Sequence, residues 1–366
     1  MTLTFTQLEE AHKNFYVPTY KILVNERDLL EDEFMEISSV QVDNTLKGAD
    51  HFTFIVNSDF NFAQREFGFL FDLFAFGSPV EIRMGYQGDV PLPLMLRGKI
   101  TAVQTSFPAS GLPQITVEGY DLSYCMTVGT GKKPLRFSGR KDSDIVAEIA
   151  RKPYGLNPIV KDTQVEHPLT EKGQQSDMQF LEKLAERNGY ELYTFDQDLF
   201  FHPPDNGADA VVSLEWGKGL LSFSPQINIS QQVTSVEVRG WNVSTKQEIV
   251  GTAGRGQEIG RDPGRRSGGE EMQAVCRSTE GLKIRVPVFS KQAADRWANA
   301  ILKKRAEQFV QGSGESIGLP ELRADRNIKL LGLGEKFSRI YYIEQTTHTI
   351  NTSGYRTTFK VKDTTI

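Results

Sequence analysis

The side chains able to move protons, attack electrophiles or hold a metal are few here, and they are scattered. The five histidines are His12, His51, His167, His202 and His348. No two share the spacing that puts imidazoles on one helical face, and HExxH is absent, so no zinc hydrolase site is written here. His348 lies among threonines in a strand-like stretch and suits a structural role. Asp142/Asp144 and Asp196/Asp198 have the composition of acid/base couples. The first pair fits a helix start, where negative charge meets the macrodipole, and the second flanks a turn. Gly129-Thr130-Gly131-Lys132-Lys133 lacks the spacer and the Ser/Thr of a phosphate loop. Gly254-Arg255-Gly256-Gln257-Glu258-Ile259-Gly260 has one residue too many for a dinucleotide fingerprint. GxSxG is absent, and neither Cys125 nor Cys276 has a neighbouring His. We expect no catalytic residues, no cofactor and no metal.

The elements that would position any site are mostly strands. A chain of 366 residues with 39% hydrophobic and 24% charged residues suits a globular protein of two or three domains. Its net charge of −5 argues against nucleic-acid binding. Two distant cysteines without CxxC spacing favour a reducing compartment. The N-terminus lacks the basic and apolar regions of a secretory signal, and the Phe-rich run 60–76 is too short and too charged to span a bilayer. These features point to a protein made in the cytoplasm with no stable membrane insertion.

In chain order, Thr6 and Glu9 form a capping-box pattern for a short helix. Alternating runs at 20–24, 34–42, 52–56, 80–84, 94–103 and 114–121 predict strands. Within the aromatic run, Phe67, Leu70, Phe71 and Phe74 stand at i, i+3, i+4 and i+7, the pattern of a helix face. That helix would be apolar nearly all round, buried in the monomer or covered by another subunit. Between 123 and 205 the pattern turns helical. Ser176 and Gln179 form a capping box before Phe180, Leu181, Leu184 and Ala185, Asn188-Gly189 stops the helix, and residues 190–201 predict a hairpin. Strands return from 206, interrupted by a Gly- and Arg-rich stretch at 251–269 that predicts a mobile loop, and by a helix capped at Ser290.

One arrangement occurs twice. Leu96 to Thr105, a turn with Gly111, then Ile115 to Glu118 and Asp121 are echoed by Ser338 to Thr346, Gly354, then Thr358 to Val361 and Asp363. Each follows a strand ending near glycine. The echo predicts a mainly β protein: two related antiparallel β-barrel (tube) domains, 1–122 and 206–366, flanking a small α+β insert at 123–205.

The Gln-Ser-Asp opening at 175–177, the Phe-Leu-x-x-Leu-Ala helix and the Asn-Gly-Tyr ending at 188–190 carry a resemblance. Pro79 to Tyr86, Leu96 to Ile100, Gly119-Tyr120-Asp121, Gly318 to Leu322 and Tyr341 to His348 extend it over most of the chain. The sequence resembles the phage late control gene D proteins, baseplate hubs of contractile tails similar to the hub portion of type VI secretion spike proteins. The resemblance implies a homotrimer whose two barrels per subunit form a pseudo-sixfold ring. Such a ring adapts a hexameric inner tube protein to a trimeric spike, beside other baseplate components, in a phage tail or phage-tail-like particle. The chain stops soon after its last strand, so the resemblance implies a separate spike protein. Phe67, Phe71 and Phe74, with Ile100, Val103, Ile340 and Ile343 of the echoed hairpins, are the expected oligomer or tube contacts. The alternatives are a β-rich polysaccharide hydrolase, which needs two carboxylates converging on a cleft, and a carbohydrate-binding module, for which Trp216 and Trp241 are the candidate platform.

Overall fold

A computed structural model describes residues 2–57, 60–61, 63–67, 70–129, 135–242, 245–262, 264–277 and 281–366. Helix α1 (Phe5–Ala11) is capped by Thr4, whose capping box closes with Gln7. The expected Thr6–Glu9 box fits the same rule but does not form. Leu3 is tied by backbone bonds to Val211 and Ser213, so the chain is free to turn helical directly after it.

Six strands then build the first barrel: β1 (Pro18–Val24), β2 (Glu36–Thr45), β3 (His51–Asn57), β4 (Pro79–Tyr86), β5 (Leu94–Ser106) and β6 (Gln114–Asp121), in the order β1-β4-β5-β6-β3-β2. Alternate residues point inward, as the two-residue period of a strand requires. Phe52, Phe54, Val40, Val42, Ile82 and Val117 meet in one core. The aromatic run does not make the expected long helix. Among the described residues of the run only Leu70–Leu73 is helical, and Phe60–Asn61 pairs with Glu66–Phe67. The positive φ of Arg65 serves the turn between those two short strands.

The insert has helices α2 (Asp142–Arg151) and α3 (Asp177–Asn188) with strands β7 (Asn157–Val160), β8 (Glu191–Phe195) and β9 (Asp198–His202). β9 is central, parallel to β7 and antiparallel to β8. Ser176 and Gln179 close the capping box, and Gly189 ends α3 in the left-handed conformation. Phe180, Leu181 and Leu184 pack on Leu199 and Phe201.

The chain continues into β10 (Val212–Trp216) and β11 (Gly219–Ile227). Here the structure departs from the sequence reading, because residues 228–309 form a second α+β module. It contains β12 (Ser235–Asn242), β13 (Gln247–Gly254), α4 (Gly268–Cys276), β14 (Leu282–Arg285) and α5 (Lys291–Ala306). Its sheet runs β13-β12-β14 and has its own core of Val236, Val238, Ile249, Ala294, Ala298 and Leu302. The 251–269 stretch is therefore not a free loop. It completes β13 and opens α4, where Ser267 makes a capping box with Glu270 and is fully buried. Three of its glycines, Gly251, Gly268 and Gly269, answer close packing. A Cβ on Gly251 would stand 2.5 Å from the Ala294 Cβ, and one on Gly268 would stand 2.5 Å from the Gln232 amide oxygen.

The last strands are β15 (Val310–Ile317), β16 (Asn327–Leu331), β17 (Arg339–Asn351) and β18 (Gly354–Asp363). With β10 and β11 they close a six-stranded barrel through the ring β17-β16-β10-β11-β15-β18, because β18 also pairs with β17. The two barrels are related in detail. β5 and β17 are both 13 residues long. Each carries a bulge just after an isoleucine, between Ile100 and Ala102 in one and between Ile343 and Gln345 in the other. Ile100 exchanges backbone bonds with Gly77 and Ser78, and Ile343 does so with Asp325 and Arg326. A bulge is a specific local device, and its recurrence with the same partners marks one motif used twice.

Candidate assembly surface

The residues singled out for chemistry are occupied in structure. His12 lies between Asp89 (3.1 Å) and Glu321 (2.9 Å), carboxylates from the two barrels. Burial pulls its imidazole down, but the hydrogen bonds and charges of Glu321 and Asp89 outweigh that and leave it raised. His348 is fully buried, with Nε2 2.8 Å from the Leu322 carbonyl oxygen and Nδ1 2.9 Å from the Tyr355 hydroxyl. Burial pushes it down to about 4, so it stays neutral. Asp142 is an internal anchor that accepts from Arg187 and from the Asn188 amide at 2.6 Å. Asp196 turns the β8–β9 hairpin and pairs with Arg97. Cys125 and Cys276 are free and exposed. Among the described residues no His, Cys, Asp and Glu cluster could hold a metal.

Two half-buried carboxylates do converge, but on a cation. Lys362 Nζ lies 2.8 Å from Glu307 and 3.3 Å from Glu191. Burial pushes Glu191 up, while the two carboxylates hold the ammonium above its ordinary range. The arrangement closes the wall of a cleft of about 1030 Å³ between α3, α5 and the second barrel. There α3 and α5 meet through Lys304–Glu186 (2.6 Å) and Arg296–Asn188 (3.3 Å). Further polar links fix the insert to the second barrel. Asp325 accepts from Tyr193 of β8 (2.7 Å) and Tyr342 of β17 (2.6 Å), and the Arg323 guanidinium stacks 3.3 Å from the Phe195 ring. Trp216 and Trp241 are exposed but sit in separate bodies, the second barrel and the second module.

What the fold assembles instead is a surface. Eight strands from both barrels form one layer in the order β5-β6-β3-β2-β17-β18-β15-β11. The barrels join at β2 and β17, where seven residue pairs run from Gln345↔Thr45 to Asn351↔Ser39. A single cross-strand row spans the layer: Lys99, Tyr120, His51, Asp43, Thr347, Thr358, Glu315 and Ser222. None of these is buried, while their strand neighbours Phe52, Val42, His348 and Thr357 are. Parallel rows carry Glu118, Thr53, Gln41, Thr349 and Arg356, and Thr45, Gln345, Lys360, Ser313 and Ser224. The face is made of hydroxyls, amides and mixed charges, and Thr347 donates to Asp43 at 2.5 Å across the barrel junction. The signal was present in sequence as period-two polar residues within strands. It names a face only once the register is known.

The expected contact residues are placed unevenly on this framework. Ile100 and Ile343 occupy equivalent positions beside the two bulges and are buried in their barrels. Phe67 and Phe74 lie in the first barrel's core, and the Phe71 side chain falls outside the described residues. Val103 is half-buried in the projecting end of β5, and Ile340 is half-buried in β17. Phe107, not singled out from sequence, is 62% exposed and packs against Phe60 and Phe67.

The same overall fold is found in solved phage tail proteins. The 43 kDa tail protein of prophage MuSo2 from Shewanella oneidensis matches with a TM-score of 0.68 at 13% identity, over 94% of this chain and 98% of that one. A tail protein from Neisseria meningitidis MC58 matches with a TM-score of 0.66 at 13% identity, over 95% and 97%. An Escherichia coli component of the type VI secretion system, described as similar to the T4 bacteriophage tail proteins gp27 and gp5, matches at 0.56 and 11% identity, over 89% and 73%. Residues 15–352 match the family model described as the Alg8 N-terminal domain, and the chain belongs to that family. The family carries a different name from the late control proteins that the sequence resembles. No curated protein matches by sequence. Among the described residues no helix is long and apolar enough to cross a membrane.

Proposed function

We propose that the chain is the structural hub of a phage tail or contractile injection apparatus, a homotrimer that joins a hexameric inner tube to a trimeric spike. The observation that carries this reading is the pair of related barrels fused through one strand layer. Three copies of a two-barrel chain offer six like units to one neighbour and three whole subunits to another, which is what a change of symmetry requires. The inserts, clamped by buried polar contacts, would keep the barrels at a fixed angle.

The chemistry of the layer supports a place along a channel. Hydroxyl, amide and balanced charged side chains hold water and give a passing chain no apolar patch to bind. The inner tube protein would continue the barrel ring, the spike would be a separate chain, and other baseplate components would surround the hub. Work would be done by association, not by bond-making. The polysaccharide hydrolase is disfavoured, since Glu191 and Glu307, on the wall of the cleft, are both engaged by Lys362.

Light scattering on the purified protein tests this reading. The expected mass is three times the 41.1 kDa of the chain, and negative-stain images should show a ring with six lobes. A stable monomer that joins neither tube nor spike would overturn it.

A further inference from the structure

The eight-strand layer ends on two open strand segments. At one end, residues 101–106 of β5 pair only with β6. At the other, residues 222–227 of β11 pair only with β15. Among the described residues neither segment makes backbone hydrogen bonds on its open side. Neither contains Lys, Arg, Asp or Glu, the charges by which edge strands usually repel other chains.

The duplication says what each edge fits. The ladder next to the bulges makes Tyr120 the counterpart of Lys362 and Gln104 the counterpart of Thr347. Following the pairing outward, His51 corresponds to Gln311 and Asp43 to Gln226. β11 in the second barrel is thus the counterpart of β2 in the first, and β5 is the counterpart of β17. Within the chain the barrels are joined by β2 pairing with β17, with Asp43 opposite Thr347. The equivalent junction from the second barrel onward has no partner within the chain. It requires the β11 edge of one copy and the β5 edge of the next.

We infer that neighbouring copies join by antiparallel pairing of residues 223–227 with residues 103–107, in the register that puts Gln226 opposite Gln104. This rests on the hub reading and assigns its subunit contact. The register sets Ser224 against Ser106, Ile227 against Val103 and Phe223 against Phe107. Like therefore meets like at four of the five positions of the seam. It also covers two exposed apolar side chains, Phe107 at 62% and Ile227 at 39%. Pro225, which has no N–H, falls opposite Thr105, so the seam lacks one donor there. The two edges differ, so the contact is head-to-tail and closes only as a ring.

Disulfide trapping tests the register. In a Cys125→Ser, Cys276→Ser background, Gln104→Cys with Gln226→Cys places two thiols on directly opposed, exposed positions, within disulfide reach for an antiparallel pair. Mild oxidation should give covalent dimers and trimers on a non-reducing gel. Gln104→Cys with Ser222→Cys, displaced by about 14 Å along the strand, should give neither. Circular dichroism of the single variants checks that both fold. A trimeric mass without this cross-link, or with equal cross-linking by the displaced pair, overturns the inferred seam and leaves the hub reading standing. A monomer overturns both.

Discussion

Gly251 offers a sharp test of why the glycine-rich stretch is ordered. It lies in β13 beneath α5, and a Cβ there would stand 2.5 Å from the Ala294 Cβ and closer still to the Ala294 carbonyl carbon and the Asp295 nitrogen. Relieving this requires α5 to move outward by roughly 1 Å in an interior packed like a crystal. Ala294, Ala298 and Leu302, all buried, would move with it. Overpacking of this kind costs about 1–3 kcal/mol. Gly254, in the same strand, is the control: its Cβ would find nothing nearer than the Ser235 Cβ at 4.0 Å. Gly→Ala at such an open site stabilises by roughly 0.4–1 kcal/mol through the unfolded chain. Amide exchange followed by mass spectrometry reads the module separately from the barrels. Gly251→Ala should lower protection of β12, β13 and α5 by roughly 5- to 150-fold, given that cost, while Gly254→Ala should leave it unchanged or raised. Equal protection in the two variants would refute the packing argument and restore the flexible loop.

Three further perturbations follow from the buried polar contacts and a cap. Asp142→Asn should cost about 3–5 kcal/mol in urea unfolding, because it leaves Arg187 without its buried partner. Burial alone would raise Asp142, but His167 and Arg187 hold it at about 2 against 3.8 unfolded. Its contribution is therefore present above pH 3.8 and lost as pH falls toward 2, and the variant should lack that acid limb. Asp50 has the opposite sign. Burial, then the Asp121 carboxylate, push it up to about 7, so the folded chain keeps a proton that the unfolded one releases. Stability falls as pH rises from about 4 to about 7. Asp50→Asn should flatten that slope in denaturation midpoints, and a slope unchanged from the parent would count against the assignment. Ser176→Ala removes the α3 cap and should cost about 1 kcal/mol, seen as faster exchange in the first turn of that helix.

Legibility in sequence followed how local the physical cause was. The Ser176–Gln179 cap, the Gly189 stop and the β8–β9 hairpin depend on a few adjacent residues and read directly. The duplication was legible because Gly85, Gly111 and Gly354 and the long strands recur in order. The bulges beside Ile100 and Ile343, which prove it, need the partner strand to be seen. The aromatic run misled because Phe67 and Phe74 obey a helical spacing by accident, while a turn at Arg65 and the barrel core decide their positions. Glycines at 251, 268 and 269 read as mobility because their cause, the approach of α5, Gln232 and Val233, is remote in sequence. Missing that cause hid the second α+β module. The polar face was illegible for the same reason, since residues from 43 to 358 contribute to one row.

The most direct test of the hub account is electron cryomicroscopy of the assembled protein at a resolution that separates strands. The account predicts threefold symmetry, six barrel lobes and a continuous strand layer around the bore, with Thr347, Thr358 and Glu315 facing the channel. A bore lined by other surfaces, or an assembly without threefold symmetry, would contradict it.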